Sequence, residues 1–454
     1  MPLLLALLLT AAPAPVPPLE TEARAVLDEL LAVDTSHGNE SRALEKVKAR
    51  FAAVGLPSQL LESAPGRGNL VARIKGNGTK RPLLLLAHID VVPVEGQSWT
   101  SPPFVPVERE GFLYARGVSD DKAMAAAIVA IALELQRKHT VLARDVIIAL
   151  TAGEETGGDA GAKWLVQTHR ALIDAELALN EGGGQTLSAD GQRVESVGVQ
   201  TAEKTFQTFH LAVKGPGGHS SVPPQDNPVT TLARALVRLG DLKTRAHVIP
   251  EVKPQLLQAA SHEQGELAAA LKAAGTGTLS AHDEAVLSAD RIYNAFIRTT
   301  CVATMLEGAP QDNVLPTVVG AAINCRILPD ESIDAVQALL ARTIDDPRVE
   351  LTQVTHFGPG GISPLRPDVE QAVRHAAQQE FGDAPVVTTI SAGGTDSRQL
   401  RQVGIAAFGV GVAPGTLDDQ RKGFGAHGAN ERRATRWLAP GVRFLRAVTL
   451  ELAR

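Results

Sequence analysis

The 454-residue sequence holds only two cysteines, and aromatic side chains make up 4% of it. Two cysteines exclude a disulfide-rich scaffold and an all-cysteine zinc site, so any metal would have to be held by histidines and carboxylates. Basic charge is not in excess: 44 Lys and Arg stand against 50 Asp and Glu, a net −6. That balance argues against nucleic acid or an anionic membrane surface as a partner. Nowhere does an apolar run approach the roughly 18 residues of a membrane span. What is present is ordinary globular material, 44% hydrophobic and 21% charged, which argues against wholesale disorder. The 41 glycines and 28 prolines suit many turns between small-residue-rich elements. The length is about three times that of a usual domain, so two or more domains are expected.

Residues 1–18 stand apart. An apolar run over 3–9 is followed by alanine and proline. It is too short to cross a bilayer and sits where a secretory h-region would. The segment reads as a signal peptide of an exported, periplasmic or extracellular protein. A cytoplasmic chain with a frayed N-terminus is the alternative, because no Lys or Arg precedes the run.

Beyond it, amphipathic helices are expected over 19–34 and 39–54. Wholly apolar strands over 83–87, 146–151 and 177–180 then alternate with helices over 123–135 and 162–172, the rhythm of a mainly parallel sheet flanked by helices. Near residue 203 the texture changes. Alternating strands over 206–213, 295–305, 318–327 and 349–355, with helices over 228–239 and 333–344, fit an antiparallel sheet with helices on one face. A polar helical insertion occupies 240–290. From about 365 the α/β texture returns, with strands over 386–390 and 405–410. The fold class is therefore α/β. A catalytic domain of 19–202 and 361–454 is interrupted by a smaller α+β domain over 203–360.

In open α/β sheets ligands bind beyond the carboxyl ends of the strands, and polar clusters stand at those ends here. His88 and Asp90 follow the first apolar strand, where a carboxylate two residues on can orient an imidazole. Asp120 and Asp121 open the Ala-rich helix and taken alone could be mere N-caps. Glu154 and Glu155 sit in the glycine-flanked turn after the second strand, where adjacent acids are costly unless a cation or proton is shared. Glu181 follows the third strand, and His427 lies in a late glycine-rich loop. His88, Asp120, Glu155, Glu181 and His427 make a borderline-hard donor set that suits Zn²⁺, with Co²⁺ or Mn²⁺ as alternatives. Five donors are too many for one ion. They suit two ions about 3.5–4 Å apart sharing one carboxylate. Glu154 is left over as a candidate general base.

The order of His-x-Asp at 88–90, Arg116-Gly117 with Asp120-Asp121-Lys122, the Ala152-Gly153-Glu154-Glu155 turn, Asn180-Glu181 before three glycines and the late His427 resembles the di-zinc metallopeptidase family of aminoacylase, carboxypeptidase G and Gly-Xaa carboxypeptidase. The resemblance covers nearly the whole mature chain. It implies that His88, Asp120, Glu155, Glu181 and His427 are metal ligands with Asp120 bridging. Glu154 is then the catalytic base and Asp90 the residue that steers His88, with a cis peptide after Asp120. It also implies a substrate-binding set. His219 would polarise the scissile carbonyl, Asn313 would meet the substrate, and Arg326 would bind its carboxylate, with Gly394 and Thr395 beside its C-terminal end. The stretch 294–329 is most similar to the Gly-Xaa carboxypeptidase branch, except at Cys301. Cys301 and Cys325 are open to pairing as a disulfide or to standing as two buried thiols.

The expected activity is hydrolysis of the amide bond of small peptides with a free C-terminal carboxylate, with two divalent ions per subunit and a water activated by Glu154. The family resemblance also implies a homodimer through the inserted domain. An N-acyl-amino-acid amidohydrolase using the same site is the alternative. From another class, the rival is a non-catalytic metal- or solute-binding protein, against which the intact Glu154 speaks.

Overall fold

The computed structural model describes residues 17–308, 311–354 and 358–454. The leader expected over 1–18 thus lies outside the described residues except for its last two positions. Among the described residues, no helix is long and apolar enough to cross a membrane.

The larger of the two main sheets has ten strands. Its centre runs in the order Val146–Thr151, Leu83–His88, Leu177–Asn180, Ala406–Gly409, and the first three junctions are parallel. Val194–Glu203 comes next and turns antiparallel, as do the outer strands Gly68–Ile74 and Ser58–Glu62 on the opposite side. The three apolar strands are buried along their whole length, as strands covered on both faces must be. Alternation assigns the faces. Leu83, Leu85 and Ala87 join one core with the helices Leu19–Leu31 and Lys122–Arg137, whereas Leu84 and Leu86 join a second core with Ala162 and Leu165. Lys122–Arg137 is buried nearly all round, and its alanines let it lie close between the sheet and Leu19–Leu31. The late helices Pro367–Phe381 and Thr435–Ala453 complete that layer.

The second sheet has four antiparallel strands in the order Thr300–Glu307, Val318–Ile327, Thr205–Lys214, Val349–Gln353. Phe209, Leu211, Val213, Ala321 and Ile323 form its core together with Leu232 and Leu340 of the helices Pro228–Gly240 and Ile333–Ile344. Cys301 and Cys325 face each other across two of its strands and form a disulfide, with Cα atoms 4.0 Å apart. The strand expected over 295–305 begins later. Asp290 accepts hydrogen bonds from the N–H groups of Ile292 and Tyr293, and that cap starts a helix, Arg291–Phe296, before the strand Thr300–Glu307.

The helices between 253 and 296 do not join this second core. They pack on one another and against Ala202 and Ile390, at the margin of the large sheet. A single residue, Lys204, separates Val194–Glu203 of the large sheet from Thr205–Lys214 of the small one. It is buried, and its Nζ donates to the carbonyls of Ala295 and Arg298 at 2.9 and 2.8 Å. That anchors the helical segment at the point where the chain changes sheet.

Candidate metal centre

The carboxyl ends of three neighbouring strands meet on one side of the large sheet, and the polar clusters come with them. His88 ends Leu83–His88 and is 1% exposed. Its Nδ1 lies 3.0 Å from the backbone carbonyl of Asp90, which fixes the ring, and its Nε2 faces Asp120 Oδ1 at 2.9 Å and Glu181 Oε2 at 3.7 Å. Asp120 precedes a cis peptide to Asp121, which stands at the N-cap of Lys122–Arg137 without a capping side-chain bond. The second oxygen of Asp120 turns the other way, 3.2 Å from His427 Nε2. His427 also lies 3.0 Å from Glu155 Oε2. Asp120 thus stands between two imidazoles, one on each oxygen.

Ligand atoms of His88, Asp120 and Glu155 lie within 4.8 Å of one another, as do those of His88, Glu154 and Glu181. The electrostatics match a site built around positive charge. Burial and the Glu181 and Asp396 carboxylates push Glu154 well above the usual carboxylate range. Burial drives Glu181 up to about 8, His88 opposing and Asp120 adding to the rise. Hydrogen bonding to Asp120 and Glu155 lifts His427 to about 10. Burial opposes protonation of His88, yet Glu181, Asp120 and Asp90 raise it well above its ordinary value. Acids and imidazoles so arranged hold protons between them, and a divalent cation can replace those protons. Two imidazoles and three carboxylates fit zinc, cobalt or manganese.

The remaining expected residues occupy four further places. Asp90 contributes its backbone carbonyl to His88, while its carboxylate lies 3.5 Å from the ring. That carboxylate accepts the N–H groups of Glu154 and Glu155, both at 3.1 Å, a contact not read from the sequence. His219 is exposed on a two-residue ribbon paired with Val314–Leu315, and its Nδ1 accepts the N–H of Ser221 at 3.2 Å. The Asn313 carbonyl accepts from Ser220 N–H at 3.1 Å, so the His219 and Asn313 loops run side by side. Arg326 stacks on Phe206, 4.4 Å from the ring centre. Burial and the neighbouring Arg398 lower its pKa, with Glu154 opposing the shift. Thr395 is buried, and its hydroxyl donates to Glu203 at 2.8 Å. A side chain at Gly394 would run into the Arg398 guanidinium.

Asp396, which the sequence places in the loop beside the substrate's C-terminal end, makes a structural contact not read from the sequence. Its carboxylate accepts the Thr151 hydroxyl at 2.8 Å, directly behind the strand end that carries the Glu154 turn. Only the strand order brings residues so distant in sequence together.

A model described as Peptidase family M20/M25/M40 matches residues 84–451. Over 360 residues the chain is 30% identical to the N-fatty-acyl-amino acid synthase/hydrolase PM20D1 of Xenopus tropicalis, which covers 77% of this chain and 68% of that protein. Among solved structures it is similar to the M20 family metallo-carboxypeptidase Sso-CP2 of Sulfolobus solfataricus, with a TM-score of 0.70, 20% identity and coverage of 95% and 99% of the two chains. Human carnosine dipeptidase 1 gives a TM-score of 0.67 at 17% identity, over 97% and 100%.

Proposed function

Because the chain belongs to peptidase family M20/M25/M40, we propose that it hydrolyses the amide bond of a small peptide ending in a free α-carboxylate. The chain is an enzyme of the metallopeptidase and amidohydrolase kind; the substrate and the assignment of each residue are our reading. His88, Glu181 and one oxygen of Asp120 would hold one divalent ion, and His427, Glu155 and the other oxygen of Asp120 a second. The observation that carries this is Asp120 itself, with Oδ1 toward His88 and Oδ2 toward His427. Two bound ions, zinc first and cobalt or manganese as alternatives, supply Lewis-acid polarisation of the carbonyl and a water of lowered pKa.

The chain's own residues do the rest. Glu154 takes a proton from the attacking water on its carboxylate and returns it to the leaving amine nitrogen, acting first as general base and then as general acid. Asp90 holds the Glu154 and Glu155 amides and steadies His88. Arg326 presents a fork to the substrate carboxylate, with Gly394 and Thr395 alongside. His219 and Asn313 reach the scissile carbonyl from the inserted lid domain over 203–360. That domain would also pair two subunits. The exposed side chains of Val302 (60%), Met305 (62%) and Leu306 (71%) on the edge strand Thr300–Glu307 support such pairing. A monomeric mass in sedimentation would remove it. Export through residues 1–18 is consistent with the Cys301–Cys325 disulfide, which favours an oxidising compartment; N-terminal sequencing of the secreted fraction tests it.

A second reading is favoured by the Xenopus relative, whose name specifies N-fatty-acyl amino acids. Peptide and N-acyl amino acid share the carboxylate and the amide and differ in the acyl side. A parallel screen of dipeptides and N-acyl amino acids on the zinc-loaded enzyme separates them. For the mechanism, Glu154→Ala with metal content intact is expected to lower kcat by about 10²–10⁴. Retention of more than a few per cent of activity would reject Glu154 as the base.

A further inference from the structure

Two loops that contribute candidate ligands are joined by one buried ion pair. Arg116 is 1% exposed and Glu431 0%. Arg116 Nη1 donates to Glu431 Oε2 at 2.6 Å and to the Gly428 carbonyl at 3.3 Å. Its Nη2 donates to the His427 carbonyl at 3.3 Å and to Gln97 Oε1 at 2.7 Å. Gln97 closes the ring by donating to the same His427 carbonyl at 3.0 Å. Glu431 reaches the opposite way. It accepts the N–H of Gly117 on Oε2 at 3.2 Å and the N–H of Ser119 on Oε1 at 2.6 Å. The carboxylate therefore grips the backbone one residue before Asp120, and the guanidinium grips the backbone of His427. His427 has φ 66°, a left-handed conformation that a non-glycine residue keeps only when its surroundings hold it.

We propose that Arg116 and Glu431 are positioning residues that set the reach between Asp120 and His427. They thereby fix the affinity of one metal pocket, that of His427, Glu155 and Asp120. This rests on the two-ion reading given above. A buried ion pair is weak as a stabiliser, because desolvation offsets most of its attraction, and its use lies in geometry. The His88 pocket has independent support. Its imidazole ends a central strand and is held by the Asp90 carbonyl, and Glu181 directly follows the neighbouring strand Leu177–Asn180. Arg116 reaches the His427 carbonyl and no member of the His88 pocket, so loosening its grip should weaken the His427 ion and spare the other, which has only Asp120 in common with it.

The test uses the full-length protein stripped of metal and titrated with Zn²⁺ by calorimetry, with Co²⁺ absorption as a second readout. Arg116→Lys keeps the charge toward Glu431 and removes the fork that reaches His427; Gln97→Ala, which removes the other donor to the His427 carbonyl, serves if the first variant folds poorly. Glu22→Gln is the control, since it breaks the Arg137–Glu22 pair in the helical layer, whose side chains are 24% and 4% exposed. Wild type and the control are expected to bind two ions. The Arg116 variant should bind one ion as before and the other roughly 10–100-fold more weakly, the range for loss of a residue that orients a ligand. Two unchanged affinities in the variant, or equal weakening of both ions, overturn the proposal. A wild-type protein that binds fewer than two ions overturns the two-ion reading instead, and that outcome is visible before any variant is made.

Discussion

Asp90 stands two residues after His88, yet its carboxylate oxygens serve the neighbouring strand by taking the amides of Glu154 and Glu155. Asp90→Ala would leave the buried Glu154 N–H without its acceptor, at about 1–3 kcal/mol, and the part-buried Glu155 N–H at less. It should lower both the denaturation midpoint and turnover, whereas a role confined to orienting His88 would touch turnover and metal affinity with little loss of stability. Glu40 poses a different residue-scale question. It is 0% exposed, its oxygens have no hydrogen-bond partner, and Arg67 Nη2 lies 3.1 Å from Oε1, an ion pair without hydrogen-bond geometry. Burial raises its pKa to about 7. The folded value lies above the unfolded one, so the protonated acid favours the fold. That contribution is full below about pH 4.5 and is lost as pH rises to about 7. Glu40→Gln should therefore be near neutral at low pH and stabilising by roughly 1–3 kcal/mol above pH 7. Denaturant midpoints at the two pH values decide it, and an equal shift at both would refute the assignment. The candidate ligands were legible in the sequence because each sits at the end of an apolar run or in a glycine-rich turn. The second role of Asp90 was not, since it requires Leu83–His88 and Val146–Thr151 to be adjacent.

Among the elements, strands with wholly apolar sequences could be read almost to the residue, because burial on both faces leaves no polar position to blur the ends. Ser58–Glu62 and Gly68–Ile74 were not read. They are mixed in polarity and owe their place to pairing with each other and with Val146–Thr151. Thr435–Ala453 escaped for another reason: Pro440 lies inside it, and proline ordinarily ends a helix. The strand expected over 295–305 was begun too early: 295–296 close the helix Arg291–Phe296, which the Asp290 cap starts, and the strand is Thr300–Glu307. The disulfide was left open, since cross-strand register is not visible in a sequence. It now carries a prediction. Cys301 and Cys325 close a loop of 24 residues in sequence separation, so Cys301→Ser with Cys325→Ser should cost roughly 3 kcal/mol, read from urea midpoints of oxidised and variant protein. No loss would mean that the two strands hold register without the link.

At the scale of the molecule, the acids of the site add negative charge that the fold alone does not neutralise. Divalent ions that bind only the native state should stabilise it by about 2.7 kcal/mol at a hundred times Kd. Chelation should therefore lower the melting temperature and abolish turnover together, with both restored by zinc, cobalt or manganese. Turnover that survives complete chelation would dismiss the metal role. The alternation of α/β and α+β texture in the sequence matches the two sheets. The packing of the 253–296 helices against the large sheet was illegible, because it depends on Ile390 and Ala202, far away along the chain.

The strand Ala406–Gly409 lies between Leu177–Asn180 and Val194–Glu203 in the large sheet, although it is made long after both. A ribosome delivers His88, Asp120, Glu155 and Glu181 early. At roughly 5–20 residues per second, His427 follows only after tens of seconds of further synthesis. Until Ala406–Gly409 is made, the chain lacks the strand that lies between Leu177–Asn180 and Val194–Glu203, and until His427 is made it lacks the last candidate imidazole. Translation order thus makes His427 the last of the candidate donors to arrive, after Ala406–Gly409 has been made.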